Sequence, residues 1–148
     1  MTQPGPNPSD ARIVETMIKL ARAVRSRRVI VAGRNSAAIF FDLYRRGYSH
    51  VATTATCGVP SGQYDVAFVT WSEHSVRALE TTLDWLVHFL CPAGILTVWI
   101  DAHEPMLNRK LRLTLDRLGF RIEAGTSCEN GVAIAARRIE ANSAAKAA

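Results

Sequence analysis

A chain of 148 residues with 48% hydrophobic and 21% charged side chains has the make-up of one globular domain and leaves no room for a second. Cysteines at 57, 91 and 128, without CxxC or Cys/His spacing, argue against a disulfide framework or a structural zinc site and point to a reducing, cytoplasmic compartment. The net charge of +5 comes from three lysines and fifteen arginines, spread from Arg12 to Arg138 with few aromatics between them; this argues against nucleic acid as partner, and only Arg25, Arg27 and Arg28 cluster.

Residues 1–8 hold three prolines and a glycine without apolar periodicity and read as a flexible arm. No basic stretch leads into an apolar one there, so no signal peptide is expected. With Ser9 or Asp10 as cap, a helix is predicted to about Arg25, burying Ile13, Val14, Met17, Ile18, Ala21 and Val24. The apolar run 29–31, leading into Ala32 and Gly33, is the pattern of a strand buried on both faces. A second helix over 36–46 is capped by Asn35 or Ser36 and stopped by Gly47, which can take the left-handed conformation. A weaker strand at 50–56, a turn at 58–62 and a buried strand at 64–70 follow.

The third helix, 73–90, spaces Val76, Leu79, Leu83, Leu86 and Leu90 three and four apart, and Cys91-Pro92-Ala93-Gly94 turns into a strand at 95–100. His88, Pro92 and Gly94 interrupt the apolar stretch 85–100, which therefore reads as helix end, turn and strand and not as a membrane span. A fourth helix starts near Glu104-Pro105, where a first turn tolerates proline, buries Leu107, Leu111, Leu115 and Leu118 and halts at Gly119. Strands at 120–124 and 132–138 make an antiparallel hairpin, and the tail 140–148 is read as flexible. This alternation predicts one α/β domain over residues 9–139: a three-layer, doubly wound, mostly parallel sheet with a C-terminal antiparallel hairpin.

RRVIVAG (27–33), RRGY (45–48), YDVAFVTW (64–71), LCPAGILTVWID (90–101) and LGFRIEAGTSCENGVAIAARR (118–138) stand in an order that resembles the class I S-adenosylmethionine-dependent methyltransferase family, whose fold is Rossmann-like. The resemblance covers residues 10–139 and implies S-adenosylmethionine as cofactor. In that family a G-x-G-x-G loop follows the first strand, and an acidic residue ending the second strand binds the ribose hydroxyls. Here Gly33 matches the first glycine, Asn35 and Ala37 replace the other two, and the acid's neighbourhood reads Thr53-Thr54-Ala55-Thr56. The family's further helix and strand, which contact the adenine, are missing between the second strand and Tyr64. Gly33, Asn35 and Ala38 also fit a dinucleotide pattern loosely, without the acid that plain NAD needs.

Ligands of open α/β sheets sit outside the carboxyl ends of the strands. The cofactor-binding candidates are therefore Gly33, Arg34, Asn35 and Ser36, with Thr54 and Trp71; Arg34 stands where a phosphate or carboxylate could also meet a helix amino terminus. Glu73 and His74 follow one strand, and Asp101 and His103 the next. If those strands are neighbours, a carboxylate lies beside an imidazole, a pairing fit to take a proton from an acceptor. These four are the catalytic candidates; no metal set is expected. His50 and His88 read as structural, Trp85 and Trp99 as core packing, and Cys57 as a strand-end thiol.

The lost glycines, acid and segment together point to a methyltransferase-like domain with a degenerate cofactor site, non-catalytic and working through oligomer or partner contacts. The alternative is a small S-adenosylmethionine-dependent methyltransferase with an unassigned acceptor. A flank shortened by the deletion predicts a homo-oligomer joined across that edge or its apolar face. The ligand class expected is a small anion or nucleoside.

Overall fold

The computed structural model describes residues 8–33, 35–59, 62–71, 76–100, 105–128 and 131–139. The elements, in chain order, are α1 (Pro8–Ala21), β1 (Val29–Gly33), α2 (Ser36–Arg45), β2 (Val51–Thr53), β3 (Tyr64–Trp71), α3 (Val76–Leu86), β4 (Leu90–Ile100), α4 (Pro105–Arg117), β5 (Phe120–Cys128) and β6 (Gly131–Arg138). They build one six-stranded sheet of order β2-β1-β3-β4-β6-β5. β1 to β4 are parallel; β6 runs antiparallel to both β4 and β5, as the predicted hairpin requires.

Alternation along the central strands divides the core between the two faces of the sheet. Val29, Val31, Val66 and Phe68 pack with Val14, Met17, Ile39 and Leu43 of α1 and α2. Ile30, Ala32, Ala67 and Val69 pack with Leu79, Leu83, Leu111 and Leu115 of α3 and α4. Strands buried on both sides explain the unbroken apolar runs of β1 and β3.

The differences from the sequence reading are at element ends. α1 stops at Ala21, four residues before Arg25, because Arg22 turns left-handed (φ 53) and the amides of Arg22 and Ala23 bond back to the carbonyls of Lys19 and Ile18. This double closure is usually signalled by glycine; here an arginine makes it. Val24 lies beyond the helix and is 56% exposed, not buried. α2 ends in the same closure at the foreseen Gly47 (φ 98), with Gly47 and Tyr48 amides donating to Tyr44 and Leu43. β2 is three residues long, since Thr54–Thr56 curl into a turn. Leu90 is not the last residue of α3 but the first of β4: Tyr64 pairs with Leu90 and Val66 with Ile95, and the intervening residues bulge around Ala93 at φ 64. Arg138 steadies this junction, its Nη1 donating to the carbonyls of Val87 and Leu90.

Between β2 and β3 the described residues contain neither helix nor strand, in keeping with the deletion read from the sequence. β2 is consequently a sheet edge. Cys57 of the connection is buried in the same core cluster as Ala52, Tyr64 and Leu79, Leu83 and Leu86 of α3. It is pinned there by bonds from the Tyr64 hydroxyl (3.2 Å) and Gln63 Nε2 (3.3 Å) to the Cys57 carbonyl.

Candidate functional site

The parallel strands end together at Gly33, Thr53, Trp71 and Ile100. Gly33 is the pivot of this edge. It takes φ +94 and pairs with Thr70 of β3, so closely that a β-carbon on it would stand 2.0 Å from the Thr70 carbonyl oxygen. No side chain fits there, whether or not a ligand binds.

Two residues on, Asn35 occupies the place of the family's second glycine at φ 58, ψ 25. The positive φ that a β-carbon restricts is met all the same, because asparagine is among the few side chains that tolerate it. Asn35 is exposed and gives α2 no side-chain cap, while its carbonyl accepts the Ile39 amide at 3.0 Å and so opens the helix. Ser36 is half-buried in the first turn, and Ala37 and Ala38 are exposed. The first turn has no acidic residue. A helix start of this kind is hospitable to anions.

At the end of β2 the threonines turn inward on one another. The Thr53 amide donates to Thr56 Oγ1 at 2.9 Å, the two hydroxyls lie 3.4 Å apart, and the Ala55 amide donates to Thr53 Oγ1 at 3.3 Å. Thr54 is exposed, and its carbonyl accepts the Cys57 thiol at 3.5 Å. No carboxylate stands at this position in the sequence.

Trp71 ends β3 with only 8% of its surface exposed, and its indole Nε1 has no hydrogen-bond partner among the described residues. The catalytic candidates Glu73, His74, Asp101 and His103, together with Arg34, lie outside the described residues. The premise for bringing the four together does hold: β3 and β4 are neighbours, and Trp71 and Ile100, which lead into the two segments, are paired across the strands.

Other residues fall elsewhere. His50 is exposed just before β2, and His88 is exposed in the turn after α3, so neither is a core histidine. Trp99 is buried as expected, but Trp85 is 38% exposed, its ring 4.3 Å from that of Phe89. Among the described residues no group of three or more His, Cys, Asp or Glu could hold a metal, and no helix is long and apolar enough to cross a membrane.

The opposite end of the sheet holds an opening that sequence reasoning missed: a cavity of about 280 Å³ lined by Arg28, Ser49, His50, Val51, Ala52, Gln63 and Tyr64. Burial raises the Tyr64 phenol above its ordinary pKa, with the neighbouring Cys57 adding to the effect. Close by, burial first and then Asp65 raise the Cys91 thiol. Burial also raises Tyr48, against the pull of Arg25 and Arg46. Lowered carboxyls occur at Glu80, bonded by Thr114 and Arg117, and at Glu123, bonded by Arg137. None of these shifted groups stands at the carboxyl ends of the strands. No residue pattern marked the cavity, which lies against the edge strand β2.

In sequence, no family model and no curated protein matches the chain. In structure it is similar to an S-adenosylmethionine dependent methyltransferase from Mesorhizobium loti, at 11% identity and a TM-score of 0.60 over 90% of this chain and 100% of that one. It is similar also to 1,6-didemethyltoxoflavin-N1-methyltransferase of Burkholderia thailandensis, solved with 1,6-didemethyltoxoflavin and S-adenosylhomocysteine (14%, 0.57, 90% and 78%). A third likeness is to the (4+2)-cyclase SpnF (13%, 0.62, 87% and 81%). The chain therefore has the Rossmann-like fold of class I S-adenosylmethionine-dependent methyltransferases, in shortened form. The cyclase among these structures illustrates that the fold alone does not fix the reaction.

Proposed function

We propose that this chain is a cytoplasmic, non-catalytic domain of methyltransferase fold whose adenosyl site is degenerate and which works through contacts with a second copy of itself. The observation that carries this reading is the end of β2. The hydroxyls of Thr53 and Thr56 are engaged with each other and with local backbone, no carboxylate stands at residues 53–56, and the described residues that follow form neither helix nor strand before β3. The residues at the end of β2 thus do not fit the nucleoside of S-adenosylmethionine.

A second reading, a small S-adenosylmethionine-dependent methyltransferase, is favoured by two features: the left-handed turn at Asn35 and the indole N–H of Trp71, which has no partner among the described residues. Isothermal titration calorimetry with S-adenosylmethionine and S-adenosylhomocysteine separates the two. The first reading expects no saturable heat at ligand concentrations near about 1 mM. A saturating isotherm in the micromolar range reverses the choice.

For the contact surface, α2 is the support. Asp42 and Arg46 tie one flank of it to α1, through their mutual bond and through Arg46 to the Ala11 carbonyl. The outward side carries Ala37, Ala38, Phe41 and Tyr44, the last two 56% and 65% exposed. A three-residue edge strand such as β2 offers little ladder for pairing, so the apolar helix side is the better contact. Light scattering is expected to give the mass of a dimer for the native chain and of a monomer for Phe41→Glu. A native monomer at high concentration rejects the surface.

A further inference from the structure

The arginine cluster singled out in the sequence and the cavity beneath β2 lie at the same end of the sheet, away from the glycine turn. Arg28 lines the cavity itself and acts on the Tyr64 phenol. Arg25 lies across Gly47, its Cδ 3.1 Å from where a β-carbon would be, on the connection that leads to Ser49 and His50. Arg27 acts on Cys91, which adjoins Asp65 at the start of β3. All three arginines are exposed, and no described carboxylate forms an ion pair with any of them. The nearest acid, Asp65, accepts the backbone amide of Arg28 at 3.0 Å and the Cys91 thiol at 3.7 Å. The last carbonyls of α2, the negative end of that helix, are taken up by the amides of Arg46, Gly47 and Tyr48. Arg28 thus stands at the opening, and Arg25 and Arg27 add basic charge at the same end of the sheet.

The backbone around the mouth is tied down by hydrogen bonds. The Val29 amide donates to the His50 carbonyl at 2.8 Å, and the Asp65 and Val66 amides donate to the Arg28 carbonyl, so both residues are fixed at the starts of adjoining strands. Gln63 is held by bonds from its Nε2 to the Cys57 and Val59 carbonyls. Ala52 and Tyr64, both of the α3-side core, supply an apolar floor.

We propose that this pocket binds a small phosphate-bearing molecule, its phosphate against Arg28 and His50 and its uncharged body against Ala52 and Tyr64. A guanidinium beside an imidazole and a serine hydroxyl is a donor set suited to phosphate oxygens. At about 280 Å³ the space lies at the small end of ligand pockets, suiting a fragment-sized phosphomonoester and not a dinucleotide. The proposal is independent of whether S-adenosylmethionine binds, since the two sites are at opposite ends of the strands.

The test is an amide NMR titration of the full chain with inorganic phosphate, phenyl phosphate and phenol. Phenyl phosphate is expected to give saturable shifts at the amides of residues 28, 49–52, 63 and 64. Inorganic phosphate should shift the same amides with weaker affinity, and phenol should leave them in place. Arg28→Gln and His50→Ala, both at exposed positions, should each weaken phenyl phosphate about tenfold, the loss of one charge-assisted contact, while Arg121→Gln on the far edge changes nothing. No saturable shift at about 10 mM ligand overturns the proposal. So do shifts scattered over the arginine surface, an unchanged affinity in both pocket variants, or equal binding of phenol.

Discussion

Gly33→Ala is expected to destabilise the domain by more than about 4 kcal/mol, a loss in the exceptional range for one methyl group. Two causes act together. At φ +94 an L side chain is strained by about 1–2 kcal/mol on backbone grounds alone. The larger cause is contact: the new carbon would stand 2.0 Å from the Thr70 oxygen and 3.0 Å from the Thr70 nitrogen and carbonyl carbon. These are backbone atoms of a buried strand, and Thr70 is paired on its other side with Trp99 of β4, so β3 cannot step aside without carrying β4 with it. Interiors packed this densely transmit such strain instead of absorbing it. Urea unfolding of the two proteins measures the difference. A loss below about 1 kcal/mol would mean that the end of β1 swings free of β3. The functional consequence is that glycine at 33 is required by strand packing, and its presence is not by itself a trace of a cofactor.

That distinction marks the boundary of what the sequence could reveal. The sheet and its closing hairpin were legible because runs such as VIVA and YDVAFVT are buried on both faces, and burial is what hydrophobic patterning records. The ends of elements were less so. Arg22 closes α1 with backbone bonds that glycine usually makes, and nothing in its side chain announces this. Leu90 keeps helical spacing with Leu86 yet pairs with Tyr64, because the tertiary register of β4 outweighs local periodicity. At the glycine turn, Asn35 takes a left-handed backbone angle that glycine more often supplies. The cavity under β2 was invisible for another reason: no residue pattern encodes an uncovered surface.

What replaces the missing chain bears on stability as much as on function. Tyr64→Ala is expected to lower stability by about 3–5 kcal/mol, in line with other losses of a buried aromatic side chain. The ring is buried in the α3-side core, 6.5 Å from the Phe89 ring, and its hydroxyl holds the Cys57 carbonyl, so its removal strikes the core and the connection around Cys57 together. Tyr64→Phe separates the two effects. It keeps the ring and loses one hydrogen bond, a change of about 1 kcal/mol, with Gln63 still donating to the same carbonyl. A second measurement reads the connection directly. Cys57 is buried, and its reaction with a thiol reagent, followed on its own peptide by mass spectrometry, should be slow in the native chain and in Tyr64→Phe but fast in Tyr64→Ala. If Tyr64→Ala left Cys57 as protected as before, segment 54–63 would owe its place to Gln63 and the threonine turn, and the burden of covering β2 would shift to them. Exposure of Cys57 together with the larger stability loss would identify Tyr64 as the residue through which a shortened chain of this fold closes its bare flank.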